Sequence, residues 1–534
     1  MSAVQSETNI LRESGKASLW IGLGITSKLM VDLVIAASFG LGTQTDAFFV
    51  AFTFPLIIEA LIYPACQSGL VPVFIREMHP EHEKQKRVLF STLFNLGLLS
   101  SLILMVLGVI GAPFIVSLLA PGFDTSTSNL AVDLLRILLF SILIVGPVGV
   151  MRAYLNAHGI FTQPAMLELI RGVAVLTTIL LSYQAIGIIS IAYGYVVGGF
   201  LQFIFLAGTI LLKLGFGYRV IIKVDSLKSS QVKRLFMVPL ADYFLAQIIL
   251  VAQRVIGSFL PPGSISAISY GHRLASVAGV ILFSGVEVVS LSYLAADFMK
   301  GTAANLRQAR ETFVAGLRFV FILGIPVAIS IWVLRLPLTQ LVFERGAFDQ
   351  HATQLAAPVI GLFALSIPFF GYRLLLNNYL FAMIQPGKVI TMSIAMIGAN
   401  MLLAILLWRF SGARGVALAF VGGLIVVYGL GFVVVEKELM PFQKEILQMV
   451  SRVVGASIAM GMALSLVSDL TTRWLSKVSY LPELAVRVGA LALAGLFSAS
   501  LLFGALILLQ VKEATSLLKY LKRLLAVRAN YFVE

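Results

Sequence analysis

Long apolar stretches recur along almost the whole chain of 534 residues and constrain its fold more than any other feature. Stretches of about 18 residues or more recur from Ala17 to Val511, and each is long enough to cross a bilayer as an α-helix. Hydrophobic residues make up 59% of the chain and charged residues 12%, with a mean hydropathy of +0.97. Soluble domains have about 25% charged residues. The sequence therefore predicts an all-α polytopic membrane protein with no room for a soluble domain between its spans.

The limits of these stretches predict about fourteen transmembrane helices. The predicted spans are approximately 17–39, 47–73, 89–119, 131–155, 165–182, 187–212, 235–260, 265–296, 312–342, 354–383, 388–410, 414–435, 449–471 and 484–511.

Basic residues lie mainly in alternate short loops, and this distribution predicts the orientation of the chain. The segment 76–87 contains four Lys or Arg residues and 213–234 contains six, whereas 40–45 and 120–129 contain none. Because cytoplasmic loops carry an excess of Lys and Arg, both termini are predicted to face the cytoplasm. These loops account for much of the net charge of +14, so the charge does not indicate binding to nucleic acid.

Matching motifs predict two copies of a six-helix unit. RAYLNAHGIFTQP, beginning at Arg152, matches RLLLNNYLFAMIQP, beginning at Arg373, and APGFD, ending at Asp124, matches RGAFD, ending at Asp349. The two matches have nearly the same offset along the chain. Six spans per copy give both copies the same orientation, as in transporters whose two lobes rock about a site between them. The predicted parts are an N-terminal lobe (17–212), a C-terminal lobe (235–435), two additional helices (449–511) and an amphipathic cytoplasmic tail (512–534).

Ionisable residues inside the predicted spans are the candidate functional residues. A charge at the bilayer centre costs about 2.5–3.5 kcal/mol on insertion scales, so such residues usually line a watery cavity or pair with one another. The first two spans of each lobe carry most of the isolated charges, and the repeat makes these spans equivalent. We predict that they line a substrate-binding cleft formed by Lys28, Asp32, Glu59, Arg254, Arg273 and Glu287. Two further pairs, Asp133 with Arg136 and Glu168 with Arg171, lie near predicted helix ends and are interpreted as structural.

Asp46 lies in SFGLGTQTDAFFVAF, directly before the apolar run of span two. A carboxylate at this point can cap the helix that follows, because it meets free N–H groups and the positive end of the helix dipole. We therefore predict that Asp46 is a cap and a gate residue. No catalytic residue or metal site is predicted, since the five histidines are scattered and Gly40 and Gly42 lack the Gly-Lys-Ser/Thr of a phosphate loop.

Several motifs resemble the MurJ/MviN family of bacterial lipid II flippases, in the multidrug/oligosaccharidyl-lipid/polysaccharide exporter superfamily. They are FGLGTQTDAFFVAF (39–52), GLVPVF (69–74), LLAPGFD (118–124), YGHRL (270–274) and PLTQLVFERGAFD (337–349). The resemblance covers most of the chain and implies two six-helix lobes with two further helices that form a lipid groove. It places Asp46 on a functionally important aspartate of the family and Arg273 on an essential cavity arginine.

The chain departs from this family at two groups of arginines. Glu59 stands where the family has a cavity arginine in span two, and Lys28 and Val31 stand where it has arginines in span one. The cationic clamp for a pyrophosphate is therefore thinned, and Arg254 in span seven is a candidate new charge. Arginine suits phosphate because its planar fork donates two charge-assisted hydrogen bonds.

The resemblance implies a flippase that moves a polyprenyl-pyrophosphate-linked saccharide, with lipid II for peptidoglycan synthesis as the first candidate, across the bacterial inner membrane by alternating access. Glu59 keeps open an exopolysaccharide or O-antigen repeat unit on the same carrier, and the superfamily keeps open a cation-coupled drug antiporter. A non-transporting scaffold would leave the cost of the mid-membrane charges unexplained.

No cofactor is expected, and the family implies coupling to a monovalent cation or to the membrane potential. The candidate ion-coupling residues are Asp242 and, more weakly, Asn400. The expected partners are the lipid-linked substrate, membrane lipids and proteins of cell-wall or polysaccharide synthesis, with the chain acting as a monomer.

Overall fold

The computed structural model describes residues 3–76, 83–215, 218–222, 230–300, 302–383, 385–434, 443–475 and 483–508. All regular secondary structure in these ranges is helical. The helices are α1 (Ala3–Phe39), α2 (Thr43–Arg76), α3 (Glu83–Leu119), α4 (Thr125–Leu139), α5 (Val145–Ala157), α6 (Thr162–Ile186), α7 (Ile189–Leu214), α8 (Ser230–Gly257), α9 (Ser264–Lys300), α10 (Ala303–Val333), α11 (Arg335–Phe343), α12 (Gln350–Ala364), α13 (Ile367–Ala382), α14 (Pro386–Val434), α15 (Gln443–Leu475) and α16 (Glu483–Leu508). A 3₁₀ turn, Phe140–Ile144, joins α4 to α5.

Twelve helical segments of the described ranges are long and apolar enough to cross a membrane. This number is below the predicted fourteen for two local reasons. The helix α14 contains two predicted spans, which meet at a break in helical geometry at Gly412. The helix α8 contributes only a shorter apolar stretch, Tyr243–Gly257. The prediction of an all-α, multi-pass membrane protein is confirmed, while the predicted tail 512–534 lies outside the described residues.

Large apolar side chains on the surface are consistent with a lipid environment. On α3, the exposed fractions of Leu107, Ile110 and Phe114 are 62%, 74% and 71%. These residues are three or four positions apart and therefore lie on one face of the helix. A soluble protein rarely exposes a contiguous apolar face of this kind, so we assign this face of α3 to the lipid.

The predicted repeat is visible in the backbone. Gly187, between α6 and α7, has φ 59° and ψ −140°, and Gly412, at the matching point of the second copy, has φ 55° and ψ −134°. Gly40 and Gly263 form a second matched pair at a similar offset, and their φ values are 66° and 88°. Residues with a Cβ atom rarely adopt such angles. Glycine is therefore needed at matching points of both copies, which confirms the repeat.

The two matched aspartates also have the same structural role. Asp124 caps α4, because its Oδ2 accepts hydrogen bonds from the backbone N of Ser126 at 3.0 Å and of Thr127 at 3.2 Å. Asp349 Oδ1 accepts a hydrogen bond from the backbone N of Ala352, at 2.8 Å, at the start of α12. The side-chain hydroxyls of Ser126 and Thr127 also donate to Asp124 and hold the pKa of this carboxyl well below its usual range.

The chain separates into two compact units. Unit 1 comprises Met1–Ser269 together with Arg345–Ala352, and unit 2 comprises Tyr270–Glu344 together with Thr353–Glu534. The helix α9 continues from the first into the second. The two units are defined by which residues pack together, whereas the predicted lobes are defined by the repeat in the sequence. The lobe boundaries therefore stay a prediction.

The core of unit 1 lies where α2, α3, α5 and α7 meet. Its aromatic side chains make edge-on contacts, with the ring of Tyr154 5.2 Å from that of Phe74 and 4.6 Å from that of Phe90. Close approach of α6 and α7 depends on glycine, since a Cβ atom on Gly194 would lie 2.9 Å from Val175 Cα. This packing fixes the positions of α2, α5 and α6, which carry the buried charges described below.

In unit 2, the last two helices pack against α10 and α11. The buried side chains of Leu334, Leu464 and Ala494 form a small cluster at this contact. An ion pair joins Arg318 on α10 to Glu445 on α15, with 2.6 Å between nitrogen and oxygen. The two helices outside the repeat are therefore attached by both apolar packing and charge.

Candidate functional site

Four charged side chains of unit 1 form a connected group, which we call the charge network. Arg171 on α6 donates from Nη1 to both carboxylate oxygens of Glu59 on α2, each at 2.6 Å. Its Nη2 donates to Glu168 at 2.9 and 3.1 Å. Lys28 on α1 lies 3.0 Å from Glu168. The network therefore joins α1, α2 and α6 through Lys28, Glu59, Glu168 and Arg171.

Glycines allow the helices to approach closely enough for this network to form. A Cβ atom on Gly24 of α1 would lie 2.9 Å from Glu168 Cβ, and one on Gly198 of α7 would lie 3.0 Å from Arg171 Cγ. The Glu168 and Arg171 side chains thus occupy space left by missing side chains on α1 and α7. A larger residue at Gly24 or Gly198 would displace the network.

The charges of the network balance, and this balance explains how its inner pair, Arg171 with Glu59, can be buried while Lys28 is partly exposed. The exposed fraction of the side chain is 10% for Arg171 and 13% for Glu59. A buried charge is tolerated when it is paired and hydrogen-bonded, and each terminal nitrogen of Arg171 donates to both oxygens of a different carboxylate. The predicted cleft residues Lys28 and Glu59 are therefore brought together, with Arg171 neutralising Glu59.

Asp46 caps a helix, but that helix is α9 rather than its own. Its Oδ2 accepts a hydrogen bond from the backbone N of Gly263, and its Oδ1 one from the backbone N of Ser266, both at 2.7 Å. The hydroxyl of Ser266 also donates to Oδ1. The prediction that Asp46 caps span two is wrong because α2 already begins at Thr43, which places Asp46 inside the first turn. The contact, which we call the Asp46 cap, joins parts of the chain that are distant in sequence.

Arg254 lies beside the Asp46 cap and is 5% exposed. Its Nε donates to Thr53 Oγ1 on α2 at 3.1 Å, and its Nη1 donates to Ser269 Oγ on α9 at 2.7 Å. The guanidinium also lies 5.7 Å from the centre of the Phe49 ring. Arg254 therefore connects α8 to α2 and α9, and its described contacts are structural.

Two loops with matching sequences add contacts to neighbouring helix ends in unit 1. In RGAFD, the backbone N of Ala347 donates to the carbonyl of Ala37 at the end of α1, at 2.7 Å. In APGFD, the backbone N of Gly122 donates to Ser258 Oγ just beyond α8, at 3.0 Å. The two loops thus contact the ends of α1 and α8, the first spans of the two predicted lobes.

The other predicted site residues lie on α1, α8, α9 and α14. Asp32 is buried, with 3% exposed, one turn beyond Lys28 on α1, and Arg273 on α9 is half-buried. Asn400 on α14 is 2% exposed, and within the described ranges its Nδ2 has no hydrogen-bond partner. The side chains of Asp242 and Glu287 lie outside the described residues, although their backbones belong to α8 and α9. Whether these residues share one cleft stays a prediction.

Sequence reasoning assigned Glu168 and Arg171 a structural role because it placed span five at 165–182, with both residues near one end. The helix α6 spans Thr162–Ile186, so Arg171 lies well inside it. The available signal was the mid-span Glu59, whose burial required a cation from another helix. The hydroxyl groups of Thr53 and Ser266 carry no such signal, because their role depends on contacts distant in sequence.

Comparison with protein families and curated proteins gives consistent matches. A family model described as lipid II flippase MurJ matches residues 35–486. The chain is 25% identical over 434 residues to a probable lipid II flippase MurJ of Thermotoga maritima, covering 80% of this chain and 86% of that protein. It is 26% identical over 369 residues to a lipid II flippase MurJ of Burkholderia cenocepacia, covering 67% of this chain and 70% of that protein.

Solved structures show the same fold. A lipid II flippase MurJ in an inward closed conformation matches with a TM-score of 0.73 and 21% identity, covering 93% of this chain and 100% of that chain. An inward-facing multidrug resistance MATE family transporter of the MOP superfamily matches with a TM-score of 0.67 and 15% identity, covering 79% and 96%. The likeness extends over most of the chain and concerns its fold.

Proposed function

Because the chain belongs to the lipid II flippase MurJ family, we propose that it moves lipid II across the bacterial inner membrane by alternating access. Membership confirms the resemblance found in the sequence and the prediction of a membrane transporter rather than an enzyme. The substrate carries a polar saccharide and a pyrophosphate on a polyprenyl chain. A protein that moves this substrate must therefore provide polar groups for the headgroup along a path through its apolar membrane-spanning helices.

The charge network is the observation that carries this proposal. It places Lys28, Glu59, Glu168 and Arg171 on apolar helices, where ionisable groups are costly and usually mark a substrate or ion pathway. Basic groups of the network suit a pyrophosphate, and acidic groups suit saccharide hydroxyls. We propose that the substrate headgroup passes this network and that the lipid tail stays in or beside the bilayer.

The Asp46 cap supplies the gate of the mechanism. Its three hydrogen bonds join the first turn of α2 to the start of α9, so they hold the N-terminal ends of these two helices together. Opening this end requires breaking the bonds to Gly263 and Ser266. Closing it recovers them, together with the favourable contact of a carboxylate with a helix N-terminus.

Orientation, coupling and partners complete the proposal. Both termini face the cytoplasm, which places the Asp46 cap at the outer side of the membrane. A monovalent cation or the membrane potential drives the cycle, with Asp242 and Asn400 as ion-coupling residues. A potential of about 100 mV supplies about 2.3 kcal/mol per charge moved. The protein acts as a monomer beside proteins of cell-wall synthesis.

Depletion of the protein from its native cell tests the proposal. Labelled lipid II should accumulate on the cytoplasmic side of the membrane, and re-expression of the wild-type chain should clear it. The Asp46→Ala variant should clear it more slowly than wild type at equal protein level, whereas Asp133→Ala, which removes a surface acid, should match wild type. Normal lipid II export after depletion would refute the proposed substrate.

A lipid-linked exopolysaccharide or O-antigen unit is the second candidate, and Glu59 favours it. This residue places a carboxylate against Arg171, which reduces the positive charge available for a pyrophosphate. Loss of surface polysaccharide after depletion, together with normal lipid II export, would support this substrate instead.

A further inference from the structure

Arg152 is a charged residue of unit 1 to which the proposed transport cycle assigns no role. It lies on α5, at the start of the repeated motif RAYLNAHGIFTQP. Its Cζ lies 4.8 Å from the centre of the Tyr63 ring on α2. Its Nε is buried and has no hydrogen-bond partner among the described residues. A buried donor of a charged group is costly when unpaired, so Arg152 would gain stability from an added acceptor.

A cavity lies directly beside this guanidinium. Its volume is about 550 Å³, and it is lined by Tyr63, Pro64, Gln67, Ser68, Arg152 and Tyr243. Small-molecule sites have volumes of about 300–1,000 Å³, so a polar headgroup of moderate size fits. The lining contains one formal charge, which is positive, and it adds amide and hydroxyl groups.

The cavity adjoins the charge network along α2. Glu59, Tyr63 and Gln67 are four residues apart and lie on one face of the helix, each about 6 Å from the next along the axis. Arg152 also lies close enough to Glu168 to interact with it electrostatically. The headgroup path proposed above therefore leads past the cavity.

Arg152 is the surplus cation when it is counted together with the four residues of the charge network. Lys28, Arg152 and Arg171 carry three positive charges and Glu59 and Glu168 two negative ones, so their sum is +1. Arg171 bonds to both carboxylates, and Lys28 pairs with Glu168. Among the described residues, Arg152 has no ion pair. The surplus charge therefore lies at the cavity wall.

We propose that Arg152 anchors a diphosphate-binding subsite in this cavity. Tyr63 packs against the guanidinium, with the Cζ atom 4.8 Å from the ring centre, and the N–H donors of a guanidinium lie in its own plane. A diphosphate supplies several acceptor oxygens and accepts the two parallel hydrogen bonds that the arginine fork provides. Gln67 adds a neutral donor. The subsite rests on the proposed function and gives the pyrophosphate of the carrier lipid a binding residue outside the predicted cleft.

Binding measurements on the full-length protein in detergent test the subsite with inorganic pyrophosphate and farnesyl diphosphate. Arg152→Gln should weaken binding of both probes at least about tenfold, because it removes charged hydrogen bonds. Arg152→Lys should give an intermediate loss, since it keeps the charge without the fork. Arg373→Gln is the matched control, because it removes an arginine from the same motif position in the other copy, and it should bind as wild type does. Loss with farnesyl diphosphate alone assigns the subsite to the lipid-borne group, and wild-type affinity of Arg152→Gln for both probes overturns it.

The Glu59→Gln variant provides a second test, in which the affinity for pyrophosphate should rise rather than fall. This test decides whether the subsite exists if Arg152→Gln does not fold. It raises the charge sum from +1 to +2, so pyrophosphate should bind several-fold more tightly and with a steeper dependence on salt. Unchanged or weaker binding would overturn the subsite. If depletion leaves lipid II export normal while Arg152→Gln still weakens pyrophosphate binding, the proposed function fails and the subsite stands. If depletion blocks lipid II export while Arg152→Gln binds pyrophosphate as wild type does, the proposed function stands and the subsite fails.

Discussion

Arg171 shows how strongly the environment of a single residue determines its energetic role. It bonds to Glu59 and Glu168 with little exposure to solvent. Arg136 forms a pair with Asp133 at 3.9 Å, but the two side chains are 48% and 66% exposed. Exposed pairs contribute about 0–1 kcal/mol, whereas removing one partner of a buried pair costs about 3–5 kcal/mol.

Arg171→Met should therefore destabilise the protein far more than Arg136→Met. The expected loss is about 3–5 kcal/mol for Arg171→Met, because the buried carboxylate of Glu59 is left without the cation that bonds to it, and at most about 1 kcal/mol for Arg136→Met. Thermal unfolding in one detergent compares the two variants with wild type. Adding Glu59→Gln to Arg171→Met should restore part of the loss, and equal unfolding temperatures of the two single variants would contradict the assignment of a buried network.

Asp124 gives a prediction for the dependence of stability on pH. Its pKa is below the usual range in the folded protein because Ser126 and Thr127 donate hydrogen bonds to it. A carboxyl with a lowered folded pKa stabilises the fold above its unfolded pKa of about 3.9 and loses this effect as the pH falls towards the folded value. The difference in unfolding temperature between wild type and Asp124→Asn should be constant from about pH 7 to about pH 5 and shrink below about pH 4. A difference that grows as the pH falls would contradict the cap.

At the scale of elements, the repeat places unusual backbone conformations at matching positions. Gly187 and Gly412 have closely similar φ and ψ, and neither glycine has atoms within 4 Å of an added Cβ. A substitution there tests backbone strain without a steric clash. Gly398, inside α14, is a suitable control because its surroundings are equally open and its φ is not positive.

Gly187→Ala and Gly412→Ala should each cost about 1–3 kcal/mol, because alanine is strained at these angles. Gly398→Ala should be neutral or should stabilise the protein by about 0.5–1 kcal/mol, since alanine favours a helix interior over glycine. Unfolding temperatures of the three variants in detergent provide the comparison. A destabilised Gly398→Ala beside two unaffected turn variants would contradict the reported turn geometry.

Elements were largely predictable from the sequence, whereas long-range contacts were not. The lengths of the apolar stretches located the spans, and the offset between the motifs ending at Asp124 and Asp349 located the repeat, because both can be read directly from the sequence. The direction of the Asp46 carboxylate depends on how α2 packs beside α9, which no local pattern specifies. The partner of Glu59 was missed for the same reason, since its cation lies far along the chain on α6.

At the scale of the whole molecule, the proposed alternating access would require the end of the helices near the Asp46 cap to separate and close. The backbone bond between Ala347 and Ala37 lies in the same unit and joins the RGAFD loop to α1. The only native cysteine, Cys66, is buried elsewhere on α2. A cysteine pair introduced at Ala37 and Ala347 can therefore form a specific cross-link.

The Ala37→Cys and Ala347→Cys double variant should lose lipid II transport when oxidised and regain it when reduced. The 2.7 Å backbone contact brings the two residues close together, in keeping with the short Cα separation of about 4.4–6.8 Å that a disulfide requires. Accumulation of labelled lipid II in cells measures transport, with the two single variants as controls. Full transport by the cross-linked protein would show that this contact need not open.

Unit 1 contains residues from both copies of the repeat, so the two copies cannot be separated by cutting the chain between them without dividing this unit. A fragment that ends in the segment 213–234 would contain the first copy of the repeat intact. It would lack α8, which packs on α2, and the loop 345–352, which belongs to the same unit. We expect such a fragment to be degraded when expressed alone and protected when the rest of the chain is expressed beside it. The boundary between the two copies of the repeat thus differs from the boundary between the two packed units. We therefore expect that neither copy folds stably when it is expressed alone.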